Sequence, residues 1–506
     1  MNLNQGSHGL LLSNILQLKS RLWSDGVADM TEKQNLPRIL LLKILLVLAL
    51  LCQSDGSEAQ ATATESDATL ELIAAGESSM VTAFLVRFGL TPRAELPQQP
   101  TLADYLDYGV GQNQDIQAAL ENWMSVKESI SHATTMPDPR FRFVEMLVPV
   151  ETLVGPQQRV FALSQTFPWF GKLSMRGRIQ EARAATAESK LVAALLQVIY
   201  RVKTAYYELA FLGQSLGVTE FHLNLLTQWE QVARARYESG LGSYADVVKA
   251  QFELAVLADR IEELRDRFRP KIALLNAILN RPSRSPVPGP IPVESLNPKL
   301  DEATLQARLL AENPELLAWQ HEAARFRYAG DYTKKLRFPD LTIGLQYIQT
   351  GTARNPGIPD SGKDPVMFSL SINIPLWQGK YSAAQREEAG HYRSATATRQ
   401  DLENTLTAAL ENALYGYRDA SRKLGLYRNT MLPKGRQALS ATTAAWEAGQ
   451  SSFLEVVDAE RALLEFELSV EKADVDRLIK LAEIEMLVGG PVVAVDSDVS
   501  EMLENP

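Results

Sequence analysis

"AWEAGQSSFLEVVDAE", residues 445–460, restates "RYESGLGSYADVVKAQ", residues 236–251, and the restatement decides the fold. Six of the sixteen positions are identical, and three more exchange aromatic for aromatic or acid for acid. In each copy a tetrapeptide, Gly240-Leu241-Gly242-Ser243 or Gly449-Gln450-Ser451-Ser452, supplies the small, flexible residues of a tight turn. What precedes the turns is helical. Leu191, Leu195, Val198, Val202, Ala205, Leu209, Leu212 and Leu216 recur in steps of four and three, with no proline between Pro168 and Pro270. That is the heptad signature of helices supercoiling on helical neighbours, and one helix over 172–236 would reach about 100 Å. The second half repeats the theme through Leu402, Leu406, Ala409 and Ala413, free of proline from Leu376 to Leu432. Each repeated segment is therefore the tip of a long helical hairpin.

Strand-like sequence precedes each long helix. In "VMFSLSINIPLW", Phe368, Leu370, Ile372 and Ile374 alternate with Ser369, Ser371 and Asn373, giving one apolar and one polar face. "LTIGLQYIQ" alternates through Leu341, Ile343, Leu345 and Tyr347, and the polar "TGTARNPGIPDSGKD" connects the two. In the first half Phe161, Leu163 and Phe167 alternate with Ala162, Ser164 and Thr166, with Gln165 interrupting the apolar face. The expected total is two hairpins and four strands. Strands of about ten residues with one lipid-compatible face suit an outer-membrane barrel. Four strands leave open edges that lipid does not tolerate, so the chain must oligomerise.

Composition narrows the function. The chain has 506 residues, 45% of them hydrophobic, and a formal net charge of −10, which argues against a polyanion such as nucleic acid as the main partner. A single cysteine, Cys52, rules out an intrachain disulfide or a thiolate metal cluster. The five histidines (His8, His132, His222, His321, His391) are scattered without ligand spacing and read as ordinary surface or core residues; no metal site or cofactor is expected. No Gly-rich phosphate loop, G-x-S-x-G or H-E-x-x-H is present, so the chain is read as not an enzyme.

"RILLLKILLVLALLCQS", residues 38–54, is an apolar run of signal-peptide length behind Lys33 and Arg38, with small residues around Ala59 for cleavage. A start at Met30 rather than Met1 gives a signal of ordinary length, and removal of residues 1–59 leaves the net charge at −10. Cys52 directly follows the run and is the candidate for lipid attachment, although Leu51 stands where a lipoprotein signal carries Gly, Ala or Ser.

From Thr101 to Gly490 the chain resembles the TolC family of outer-membrane efflux channels. The family's repeat opening, L-x-x-A-L-x-x-N-P-x-L, is similar to "LDYGVGQNQDIQAA" (106–119) and closer to "LQARLLAENPELLAW" (305–319). Its strand-to-helix crossing is similar to Phe167-Pro168-Trp169-Phe170-Gly171-Lys172 and, one residue longer, to Ile374-Pro375-Leu376-Trp377-Gln378-Gly379-Lys380. Its tip pattern, aromatic-x-x-G followed by D/E-V, occurs in both halves, and Leu432-Pro433 falls where the family tolerates a proline.

The resemblance implies a mainly α subunit with a membrane β-barrel portion: a homotrimer in which three copies of four strands close one twelve-stranded barrel. Long helices would continue into the periplasm as a tunnel. It also implies a periplasmic adaptor docking at the two tips, an inner-membrane pump of resistance-nodulation-division type, and outer-membrane lipid around the barrel. "TFPWFGK" and "PDP" at 137–139 look more like the heavy-metal cation branch than the protein-secretion branch. Glu455 and Asp458 share a helix face and match the family's acidic periplasmic constriction. Three copies would make a ring attracting cations. Asp246 is the first-repeat counterpart of Glu455, Lys249 replaces the counterpart of Asp458, and Trp446 falls where an aromatic narrows the mouth. Ser451 stands near the position of a basic latch in some relatives.

The expected organisation is an N-terminal extension and signal (1–59), a periplasmic segment (60–100), a first repeat (101–285), a linker (286–300), a second repeat (301–490) and a tail (491–506). A periplasmic coiled-coil adaptor or scaffold, and a type I secretion channel, are the competing readings. Against the adaptor stand the four alternating strands.

Overall fold

The computed structural model describes residues 79–288, 297–355 and 357–492. The expected signal peptide, Cys52 and residues 493–506 lie outside them. The first repeat comprises α2 (Leu102–Gln112), α3 (Gln114–Thr134), β1 (Arg140–Thr152), β2 (Gly155–Phe167), α4 (Lys172–Glu238) and α5 (Tyr244–Ile278). The second comprises α6 (Glu302–Glu312), α7 (Pro314–Lys335), β3 (Leu341–Thr350), β4 (Val366–Ile372), α8 (Gln378–Leu426), α9 (Leu432–Glu447) and α10 (Phe453–Leu487). A helix α1 (Ser79–Phe88) precedes them and packs on α4, burying Val81, Phe84 and Leu85 in the main core.

α4 runs for 67 residues, about 100 Å. Its heptad positions Leu191, Leu195, Val198, Val202, Ala205, Leu209 and Leu212 are buried, and Leu216 is half-buried. The helix is covered from several sides, by α3, α5, α7 and α10, so its apolar residues spread beyond one narrow stripe. Its second-repeat counterpart is broken into α8 and α9 by a π turn, Tyr427–Met431. Pro433 follows directly; it has no N–H and its ring crowds the preceding turn, and the wider π turn absorbs both defects. α5 continues through Pro270 to Ile278.

Each repeat begins and ends on the same polar joint. Asn113, between α2 and α3, accepts the Asp115 and Ile116 amides and donates its Nδ2 to the Ile278 carbonyl at 2.6 Å. Asn313, between α6 and α7, accepts those of Glu315 and Leu316 and donates to the Leu487 carbonyl at 2.9 Å. One side chain thus caps the opening helix and satisfies a terminal carbonyl of the closing one. The closing helices end alike, on left-handed residues: Asn280 at φ 53° and Gly489 at φ 78°.

The strands form a single antiparallel sheet in the order β1-β2-β3-β4, so the two hairpins join along β2 and β3. Phe141, Phe143, Leu163, Leu345, Phe368, Leu370 and Ile372 project from one face and are all exposed. Arg142, Ser164, Gly344, Ser369 and Ser371 occupy the other. Gln165, the interruption in the apolar face, lies near the end of β2, where its Nε2 donates to the Pro137 carbonyl at 2.8 Å. Among the described residues no helix is long and apolar enough to cross a membrane.

Candidate functional site: the hairpin tips and the open sheet

Both tips close by the same backbone geometry. Gly240 and Gly449 take left-handed φ values of 75° and 71°, which a Cβ would strain. The Leu241 amide donates to the Arg236 carbonyl and the Gln450 amide to the Ala445 carbonyl, each at 2.8 Å. Gly240 and Gly449 donate to Tyr237 and Trp446, completing a Schellman motif in each copy. The restarts differ: Ser243 Oγ accepts the Ala245 amide at 3.1 Å, whereas Ser452 Oγ donates to Glu455 at 3.3 Å. Gly240, Leu241, Ser243, Gly449, Gln450 and Ser452 are exposed, and Gly242 and Ser451 are half-buried.

Glu455 and Asp458 lie in the first two turns of α10 and are both exposed, on one face as their spacing requires. Asp246 occupies the first turn of α5 and is half-buried. The position of Asp458 is less purely acidic than the sequence suggests. Arg461 comes within 4.0 Å of it while its main bond goes to Glu253, at 2.8 Å from Nε. Glu253 is buried and also takes Lys249 at 2.9 Å, so the first-repeat lysine is spent inside the subunit. After burial, which opposes it, these two cations hold the Glu253 carboxyl below its ordinary range.

Trp446 is enclosed between the hairpin tips. It is 3% exposed, packs on Phe453 with ring centroids 5.0 Å apart, and lies under the Arg236 guanidinium at 5.2 Å. The ring joins the two hairpins. Arg236 adds a second tie, donating to the Glu447 carbonyl at 2.8 Å.

His222, read from sequence as ordinary, sits fully buried between the hairpins. Its Nδ1 is 2.8 Å from Glu460 and its Nε2 3.0 Å from Glu467, both on α10. Burial alone would lower the imidazole pKa, but the two carboxylates outweigh it and raise it to about 9. Glu467, hydrogen-bonded to His222 and to Arg436, is held below the usual carboxylate range. No linear signal marks this cluster, because its members are far apart in the chain. The carboxylates flank the ring on opposite sides, and among the described residues no three His, Cys, Asp or Glu side chains converge as a metal set.

Where strand meets helix, Lys172 is buried and donates to Asp340 at 2.7 Å and to the Phe338 carbonyl at 2.9 Å. The Trp169 ring stacks on Phe338 at 5.5 Å. A sheet with an exposed apolar face, an aromatic and lysine junction, and long helical hairpins are the parts expected of an outer-membrane channel subunit whose helices extend into the periplasm.

Residues 158–280 and 305–490 match the outer membrane efflux protein family, and the chain belongs to it. It is a family of channel proteins. The cobalt-zinc-cadmium resistance protein CzcC of Cupriavidus metallidurans is 22% identical over 369 residues, covering 72% of this chain and 84% of CzcC. The outer membrane protein TolC of Vibrio cholerae is 22% identical over 328 residues, covering 61% of this chain and 71% of that protein. The solved structure of CusC superposes with a TM-score of 0.65 at 14% identity, over 79% of this chain and 99% of CusC. The chain is an outer-membrane channel protein of tripartite efflux or secretion systems.

Proposed function

We propose that three copies of the chain form a passive conduit that exports small molecules or metal cations. The cargo arrives from an inner-membrane pump of resistance-nodulation-division type through a periplasmic adaptor. The observation that carries this reading is the four-stranded sheet with two open edges and an exposed apolar face. In lipid, unpaired edge amides and carbonyls are costly, so copies must pair edge to edge. The exposed tips at 240–243 and 449–452 are the surfaces offered to an adaptor. The metal-cation cargo is favoured by the similarity to a cobalt-zinc-cadmium resistance protein. Selectivity among cargoes is assigned to the pump.

Glu455 and Asp458, repeated in each copy, would place a ring of carboxylates at the periplasmic mouth, with Arg461 offsetting part of the Asp458 charge. Current across a planar bilayer tests this. Cation-preferring currents whose preference falls in Glu455→Gln with Asp458→Asn support conduit and ring together. Currents with unchanged preference keep the conduit and discard the ring, and a detergent-extracted protein that never conducts, even with its adaptor, removes the conduit.

A further inference from the structure

The internal repeat says how a second copy must dock on the open edge of the sheet. The first hairpin faces Arg140 with Ser164, and the second faces Thr342 with Ser371. Phe167-Pro168 and Ile374-Pro375 make Ser164 and Ser371 equivalent. Arg140 therefore corresponds to Thr342, and Asp138 to Asp340. Lys172 and Lys380 correspond too: each amide donates to the carbonyl of the tryptophan three residues earlier, Trp169 or Trp377, at 3.0 Å. Phe338, on which Trp169 stacks, corresponds to Met136.

Inside one copy the β2–β3 seam is fastened by the pair of buried Lys172 with half-buried Asp340, and Asp340 also accepts the Trp169 amide at 2.8 Å. The equivalents Lys380 and Asp138 lie on β4 and β1 sides of the sheet, which no strand of the same copy covers. Both are exposed and neither has a partner among the described residues. Trp377 is 78% exposed and Met136 55%.

We propose that the β4 edge binds the β1 edge of a second copy of this chain in the register of the β2–β3 seam, locked by Lys380 on Asp138 of the second copy. This rests on the oligomeric-barrel reading above and adds its register. Transposing the seam, in which Gln165 faces Ile343 and Leu163 faces Leu345, sets Ile372 opposite Phe141 and Leu370 opposite Phe143. Both pairs are apolar on the same face. A slip of one residue would put Ser371 opposite Phe141 and turn the face polar. A slip of two would preserve the faces, but it would carry Asp138 about 7 Å along the strand, out of reach of Lys380. Side-chain alternation excludes odd slips, and the ion pair selects among the even ones. Trp377 then covers Met136, a sulfur–aromatic contact replacing the Trp169–Phe338 stack.

Cysteine pairs in the full chain in membranes test the register, with the parent chain as background. Mild oxidation of Ile372→Cys with Phe141→Cys is expected to give covalent oligomers, and the slipped pair Leu370→Cys with Phe141→Cys is expected to give none beyond background. In otherwise unaltered protein, Lys380→Asp or Asp138→Lys alone should lower the temperature at which the oligomer dissociates in detergent, and the two together should restore it. Oligomers that cross-link only through the slipped pair, or a double exchange no better than the single ones, overturn the register while leaving the oligomeric barrel intact. A parent chain that stays monomeric in membranes overturns both.

Discussion

Raising the pH from 6.5 to 9.5 should loosen the contact between α4 and α10, and His222 sets the size of the effect. The imidazole is protonated in the fold because Glu460 and Glu467 flank it, and its pKa rises from 6.5 to about 9. A pKa raised on folding contributes stability that is fully present below the unfolded value and is lost as pH climbs through the folded one. The full contribution is about 3 kcal/mol, on the order of half of it remains at pH 8, and little survives above pH 9.5. Other groups titrate in the same range, so the measurement is a difference. Purified protein and His222→Gln would be unfolded thermally at intervals from pH 6 to 9.5. Glutamine leaves Glu460, 2% exposed, without its cation, so the variant should be less stable by up to about 3 kcal/mol at pH 6 and nearly equal to the parent at pH 9.5. A gap that stays constant across this range would show that His222 is neutral in the fold and refute the reasoning.

Other consequences follow from the joints and the tips. Asn313→Ala or Asn113→Ala removes a helix cap and orphans a buried carbonyl, costing about 1–3 kcal/mol each in thermal unfolding. Gly449→Ala meets nothing within 4 Å and should cost only its left-handed backbone, about 1 kcal/mol. Gly489→Ala would set a Cβ 2.7 Å from the Glu312 carbonyl oxygen as well, and should be clearly the worse of the two in the same assay. Arg461→Ala leaves the buried Glu253 with Lys249 alone and also frees Asp458. It should lower the melting temperature and, in bilayer recordings, strengthen cation preference rather than weaken it.

Periodic features were legible from the chain alone. The heptad residues from Leu191 to Leu212 are buried, and alternation in "VMFSLSI" and "LTIGLQYIQT" placed β4 and β3, because period is a local property of sequence. The tip turns were legible through Gly240 and Gly449, which a left-handed residue requires. Local spacing also put Glu455 and Asp458 on one exposed face. It gave no warning of Arg461 beside Asp458, since Arg461 is positioned by Glu253 on the other hairpin. Nor could it place Trp446, whose burial depends on Phe453 and Arg236 meeting across two turns.

By itself, then, the sequence determined the two-fold repeat, the helical hairpins, the strand count and the apolar sheet face, all of which follow from spacing along one segment. Tertiary structure alone decided which side chains answer each other. His222 found Glu460 and Glu467, Lys172 found Asp340, and Asn113 and Asn313 closed their repeats on Ile278 and Leu487. The physical reason is the same in each case. A buried charge or carbonyl must be satisfied by whatever the fold brings within about 3 Å, and that neighbour can lie anywhere in the chain.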